Sequence, residues 1–138
     1  MKLKKKLLII ILLVFIKLSY SQQSESLSEL NKRIKFLNSE SLDLDKNSNK
    51  ILDLVSQIIK KNESSYLIES HSCMRGQNET NRIKTQKRAQ IIKKELINRG
   101  IENSRLVALG YGETKRKYIC TTRVCDLQNE RIEIIKTD

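Results

Sequence analysis

The 138-residue chain has no proline, no tryptophan, and only one histidine and three cysteines for metal or nucleophilic chemistry. Its length leaves room for one domain at most. No paired carboxylates, phosphate-binding glycine loop or serine triad stands out, so nothing in the sequence argues for an enzyme. What the chain does have is positive charge: 27 lysines and arginines against 16 acids give a formal charge of +11. Taken alone, that excess suggests a nucleic-acid ligand.

The N-terminus has the pattern of a secretory signal peptide. Four lysines lie among the first six residues, and an unbroken apolar run follows from Leu7 to Ile16. A membrane-spanning helix needs about 20 apolar residues, and Lys17 ends this run well short of that. No cysteine follows the run, which argues against a lipid-anchored N-terminus. We therefore predict a signal peptide over residues 1–21, cleaved before Gln22.

Cleavage changes the meaning of the charge. It removes five lysines and no acid, leaving 117 residues with a net charge of +6. The excess lies in residues 70–138, which carry 15 bases and eight acids, whereas residues 22–69 are close to neutral. An exported basic protein meets envelope lipids and cell-wall carboxylates rather than nucleic acid. Only four aromatic residues remain to fill a modest core: Phe36, Tyr66, Tyr111 and Tyr118.

The hydrophobic periodicity predicts a single two-layer α/β (α+β) sandwich over residues 32–138, preceded by a polar, exposed leader over residues 22–31. Helices are predicted from the region of Leu44 to Asn62 and over Thr80–Arg99, where apolar residues recur at helical spacing. Strands are predicted where apolar residues alternate or form short runs: Arg33–Leu37, Ser65–Ser72, Leu106–Leu109 and Arg131–Lys136. The element order is β-α-β-α-β-β, with a loop before the last strand.

Five segments resemble, in the same order, the motifs of the OmpA-like C-terminal domain family. That family has a Gly-His-Thr-Asp segment, a glycine loop, Asn-x-x-Leu-Ser-x-x-Arg-Ala, Gly-Tyr-Gly-Glu and a closing Asn-Arg-Arg-Val-Glu-Ile strand. The corresponding segments here are Ser70-His71-Ser72-Cys73 with Gly76, Asn81-x-x-Lys84-Thr85-x-x-Arg88-Ala89, Gly110-Tyr111-Gly112-Glu113, Asn129–Ile134 and, upstream, Leu44–Asp53. The resemblance covers about residues 32–136.

The resemblance implies a non-enzymatic module, without a cofactor, that binds the stem peptide of peptidoglycan in the periplasm, beside the cell wall or outer membrane. In that family an Asp takes the amine of diaminopimelate and an Arg takes its carboxylate. The Arg falls on Arg88, and Asn81 is expected to hold the loop from Cys73 to Thr80. The Asp falls on Cys73, whose thiol is ordinarily neutral and cannot replace a carboxylate. Glu130, where the family has Arg, is a second departure and removes a positive charge near the last strand.

The three cysteines cannot all pair within one chain. The spacing of Cys120 and Cys125 suits a local disulfide, as in some members of the resembled family. Cys73 would then be free, paired between chains, or exchanged with one of the other two. Those three cysteines and His71 could instead hold zinc if the two loops met, but the spacing and an oxidising compartment favour a disulfide and no metal.

Two functions follow. The first is peptidoglycan binding through Arg88, Asn81 and the degenerate position Cys73. The alternative is a degenerate domain used for protein contact in the envelope, with outer-membrane or other envelope proteins as partners and Cys73 free or in an intermolecular disulfide.

Overall fold

A computed structural model describes residues 25–138 of the chain. The predicted signal peptide lies outside these residues. Within residues 25–138, none of the helices is both long enough and apolar enough to span a bilayer.

The described residues form four helices and three strands, with a single 3₁₀ turn at Asn103–Arg105. The helices are α1 (Leu27–Arg33), α2 (Lys46–Lys60), α3 (Asn78–Asn98) and α4 (Arg123–Leu127). The strands are β1 (Tyr66–His71), β2 (Leu106–Gly112) and β3 (Arg131–Lys136). This is a mixed α+β architecture, as the sequence predicted, and α2, α3 and β3 fall where the periodicity placed them.

The strands form one sheet in the order β2-β1-β3. β1 runs parallel to β2 and antiparallel to β3, with Glu69 opposite Leu109 on one side and Glu133 on the other. A parallel connection needs a crossover, which α3 supplies. Residues of one sheet face, such as Ile68 and Ile134, are buried in the apolar core. The helical residues buried in that core are Leu30, Ile51, Leu52, Val55, Ile59, Ala89, Ile92 and Leu96.

Helix α3 lies directly on β2, and Gly110 permits this approach. A Cβ at Gly110 would lie 2.0 Å from the backbone nitrogen of Gln86, a distance that no real Cβ contact shows. The Gln86 amide bridges the same strand, accepting from Gly110 N–H at 2.8 Å and donating to Ala108 C=O at 3.1 Å. The Gly-Tyr-Gly segment therefore fixes where α3 crosses the sheet.

Two expectations for the N-terminal part were wrong. Residues 22–31 are not an exposed leader throughout, because α1 starts at Leu27 and buries Leu30 completely. Residues Arg33–Leu37 do not form a strand; Phe36 makes only an isolated antiparallel bridge with Leu44. Leu30 and Ile34 are four residues apart, a helical spacing that carries two side chains into the core without a strand.

Candidate ligand-binding site

Arg88, the sequence-predicted carboxylate-binding residue, projects from α3 and is only 2% exposed. Its guanidinium donates to the carbonyls of Asn38 (2.7 Å) and Ser41 (3.0 and 2.7 Å), in the loop before α2. It also packs over the Phe36 ring, with 4.4 Å from Cζ to the ring centroid. Arg88 therefore ties the loop that follows α1 to the helix.

The remaining contact of Arg88 is an ion pair with Glu130, in the turn before β3. Nη1 donates to Glu130 Oε1 at 2.6 Å, and Ser39 Oγ donates to the second carboxylate oxygen at 2.8 Å. Together with its three bonds to the carbonyls of Asn38 and Ser41, the bond to Glu130 uses four of the five N–H donors that an arginine carries. The side chain of Glu130 is 20% exposed against 2% for Arg88, so solvent reaches the acid more readily than the base.

This ion pair lines a small cavity of about 240 Å³. The sheet side of the cavity is lined by Ser70, His71, Arg131 and Ile132, and Ser70 Oγ is buried with no hydrogen-bond partner among the described residues. Lys35 lies at the same cavity, is exposed, and makes no salt bridge in residues 25–138. A buried hydroxyl without a partner is unusual in proteins and marks a place for a ligand or a water. The cavity thus combines an acid, a base and a free hydroxyl.

Asn81 holds the loop that joins β1 to α3. It is 2% exposed, and its amide nitrogen lies 2.7 Å from Arg75 O, 3.4 Å from Cys73 O and 2.9 Å from the carboxylate of Glu113. Glu113 belongs to the Gly-Tyr-Gly-Glu segment, so one amide connects two of the segments singled out in the sequence. The loop is ordered by the backbone of Cys73 and Arg75 rather than by the thiol.

The predicted site residues fall into two places. Asn81 and Cys73 lie together, but Arg88 is seven residues further along α3, about 10 Å along the helix axis. Neither Asn81 nor Cys73 lines the Arg88 cavity. Glu130 is a functional candidate that the sequence does not identify as the partner of Arg88. The signal in the sequence is the Glu at the family's Arg position, which shows the loss of a positive charge but not the pairing with Arg88.

His71 occupies the opposite face of the sheet from the core. Its Nε2 lies 3.1 Å from Glu69, its ring stacks on Tyr111 at a centroid distance of 5.4 Å, and it is 1% exposed. Burial lowers its pKa, and the nearby charge of Arg131 lowers it further. Because an ionised carboxylate only accepts, Nε2 is the donor in this hydrogen bond, and Nδ1 has no hydrogen-bond partner among the described residues.

Glu69, His71 and Glu133 could in principle hold a metal, since their ligand atoms lie within 4.8 Å of one another. Three cations already neutralise the two acids. Lys115 lies 3.4 Å from Glu69, and Lys117 and Arg131 lie 3.5 and 3.0 Å from Glu133. The cluster is therefore a network of ion pairs.

The loop before β3 contains the disulfide Cys120–Cys125, which confirms the predicted local pairing. Two of the four ligands of the alternative zinc site are therefore used in this bond. Cys73 is a free thiol, 4% exposed. Asp126, next to Cys125, accepts from Met74 N–H at 3.0 Å, so the disulfide loop contacts the loop that contains Cys73.

A three-stranded sheet covered by helices on one face, with a buried arginine that secures a surface loop, defines a small α+β domain. The OmpA family model matches residues 36–130, which is more than half of the chain. The chain belongs to the OmpA family, as the sequence motifs indicated. A search of curated proteins finds no match.

Solved structures of similar fold include the peptidoglycan-associated lipoprotein from Burkholderia pseudomallei, 21% identical with a TM-score of 0.69, covering 75% of this chain and 89% of that one. The C-terminal domain of Helicobacter pylori MotB is 19% identical, with a TM-score of 0.68 and coverage of 75% and 81%. The cell wall anchor of the T6SS from Pseudomonas aeruginosa is 21% identical, with a TM-score of 0.64 and 72% coverage of each chain. At these identities the likeness establishes the fold.

Proposed function

We propose that this chain is a non-enzymatic, exported module that binds peptidoglycan non-covalently, at the cavity beside Arg88. The observation that carries the proposal is that cavity: a recess of about 240 Å³ lined by Arg88, Glu130 and Ser70, with the buried arginine at the family's motif position. The structural neighbours support it, because one is a peptidoglycan-associated lipoprotein and another a cell wall anchor. A periplasmic location beside the cell wall or outer membrane follows from the same proposal.

Diaminopimelate-type stem peptides are the proposed ligand, and two substitutions change how they can be bound. Cys73 removes the family acid, and Glu130 places a carboxylate on Arg88 where a ligand carboxylate would otherwise bind. Direct contact between Arg88 and the ligand would require Glu130 to move aside. In the structure as it stands, Arg88 contributes by shaping the cavity, and Asn81 by ordering the neighbouring loop.

The test is co-sedimentation of the mature chain with purified sacculi, comparing the wild type with Arg88→Ala and with Arg82→Ala. Arg82 is on the same helix, and within residues 25–138 it pairs only with Glu79, on the exposed surface. Arg82→Ala therefore removes the same charge without touching the cavity. We expect retention of the wild type and Arg82→Ala and loss of Arg88→Ala. Equal retention of all three would refute the assigned site, and no retention of the wild type would refute the function.

The alternative, protein contact through an intermolecular disulfide of Cys73, has less support. The thiol is buried, and a disulfide to another chain would require the loop held by Asn81 to open. Non-reducing electrophoresis of periplasmic material tests this alternative. A dimer that Cys73→Ser abolishes would support it.

A further inference from the structure

Of the two residues of the Arg88–Glu130 ion pair at the cavity, Glu130 is the one that a ligand can reach. Arg88 is 2% exposed and donates four hydrogen bonds to protein oxygens. Glu130 is ten times more exposed, and each of its carboxylate oxygens has one donor so far. A carboxylate can accept about four hydrogen bonds, so half of its capacity is open.

The groups left open at this cavity include two kinds of acceptor. Glu130 offers a charged oxygen, and Ser70 offers a buried hydroxyl without a partner. A group with several N–H donors and a positive charge satisfies both, and a primary ammonium has three donors. Lys35, exposed at the cavity and in no salt bridge within residues 25–138, adds a cation at a second point. Arg131, the remaining cation of the lining, is already paired with Glu133 at 3.0 Å. The reachable charges are therefore the acid Glu130 and the cation Lys35, and a ligand with an ammonium and a nearby carboxylate matches them.

The ion pair also explains how Glu130 is held for this task. Arg88 fixes one carboxylate oxygen at 2.6 Å, and Ser39 fixes the other at 2.8 Å. Because both partners are tied to the loop before α2, the carboxylate is oriented before a ligand arrives. Preorganisation of this kind lowers the entropic cost of binding.

We propose that Glu130 binds a primary ammonium group of the ligand, and that Arg88 is a positioning residue acting through Glu130. This inference rests on the proposed function and deepens it, because it names the ligand group that the cavity selects and the residue that binds it. The chain would thus bind amine-bearing stem peptides through an acid located 57 positions after Cys73.

The experiment measures the affinity of the mature chain for soluble peptidoglycan fragments, prepared by muramidase digestion, and for the same fragments after acetylation of their free amino groups. Acetylation removes the ammonium charge and leaves the rest of the fragment unchanged. We expect acetylation to weaken binding to the wild type about tenfold or more, the usual effect of losing a hydrogen bond to a charged group. Glu130→Gln should weaken binding of the native fragments by a similar factor. The variant protein should then bind native and acetylated fragments equally.

Glu63→Gln is the matched control, since Glu63 is exposed, makes no salt bridge within residues 25–138 and lies away from the cavity. Arg88→Lys tests whether Arg88 acts by positioning Glu130. It should reduce the preference for native over acetylated fragments. Adding Arg88→Lys to Glu130→Gln should weaken binding no further than Glu130→Gln does alone. A merely structural role for Arg88 would lower affinity for both preparations without changing the preference. Thermal melting of each variant checks that it is folded.

The outcomes separate the two proposals. Binding of the wild type that is insensitive to both acetylation and Glu130→Gln would overturn the role of Glu130 and leave peptidoglycan binding intact. Failure of the wild type to bind any fragment or sacculi would overturn both.

Discussion

Replacing Arg88 with Met should cost far more stability than replacing any exposed base of α3. The substitution keeps the length of the side chain but removes the four hydrogen bonds to Asn38, Ser41 and Glu130. Breaking a buried ion pair by removing one partner typically costs about 3–5 kcal/mol, because the other charge stays desolvated. Glu130 is 20% exposed, so it recovers some hydration and we expect a value near 3 kcal/mol.

Urea unfolding followed by circular dichroism measures this loss. Glu130→Gln keeps an acceptor for Arg88 but leaves the guanidinium, which is 2% exposed, without its opposite charge, so it should cost about 2–3 kcal/mol. Combined in a double-mutant cycle, the two changes should show a coupling energy of about 1–3 kcal/mol. Arg82→Met is the control: its pair with Glu79 is 60% and 63% exposed, so losing it should change the free energy of unfolding little. A loss below 1 kcal/mol for Arg88→Met, or additive single effects, would refute the buried pair.

Three further predictions concern the scaffold. Gly110→Ala should lower the free energy of unfolding by at least about 1–3 kcal/mol, the usual cost of overpacking, because the new Cβ would overlap the Gln86 backbone. The melting temperature should fall accordingly, and an unchanged melting temperature would contradict the close approach of α3. The lowered pKa of His71 means that the unfolded chain binds a proton first, so the free energy of unfolding should fall as the pH drops below about 6.5, and His71→Gln should remove this dependence. The Cys120–Cys125 disulfide closes a loop of only six residues, so its reduction should lower the free energy of unfolding by at most about 2 kcal/mol. Melting with and without reductant measures this loss. Global unfolding on reduction would contradict the prediction, because it would show that the bond holds the fold together.

The sequence predicted the elements that have a clear period. Helix α2 places Ile51, Val55 and Ile59 on one stripe, with Asp45 accepting a bond from Asn47 N–H as its N-cap. Strand β3 has the predicted bounds, because alternation over Arg131–Lys136 matches a sheet with one buried face.

The N-terminal part was mispredicted because its signal is short. Helix α1 buries a single residue, Leu30, within a polar segment, and seven residues are too few for a visible apolar stripe. The pattern at Ile34 and Phe36 alternates as a strand would, but these side chains reach the interior from an irregular segment. In such a case the tertiary environment decides between helix, strand and loop.

The site itself depends on contacts that no local pattern contains. Arg88 was identified by its motif position, but its partners lie 42 to 50 residues away along the chain. Glu130 was seen in sequence as a lost positive charge, and the structure shows it to be the carboxylate that Arg88 holds. The roles assigned to Asn81, Arg88 and Cys73 in ligand binding stay predictions.

The most direct test of the central claim is a two-dimensional NMR titration of the ¹⁵N-labelled mature chain with soluble muramidase fragments of peptidoglycan. Binding at the cavity predicts saturable shifts concentrated at the amides of Ser39, Ser70 and Glu130, with little change on the exposed face of α3. Shifts spread over the basic residues of α3, or no saturable shifts at all, would contradict the claim that this cavity binds the cell wall.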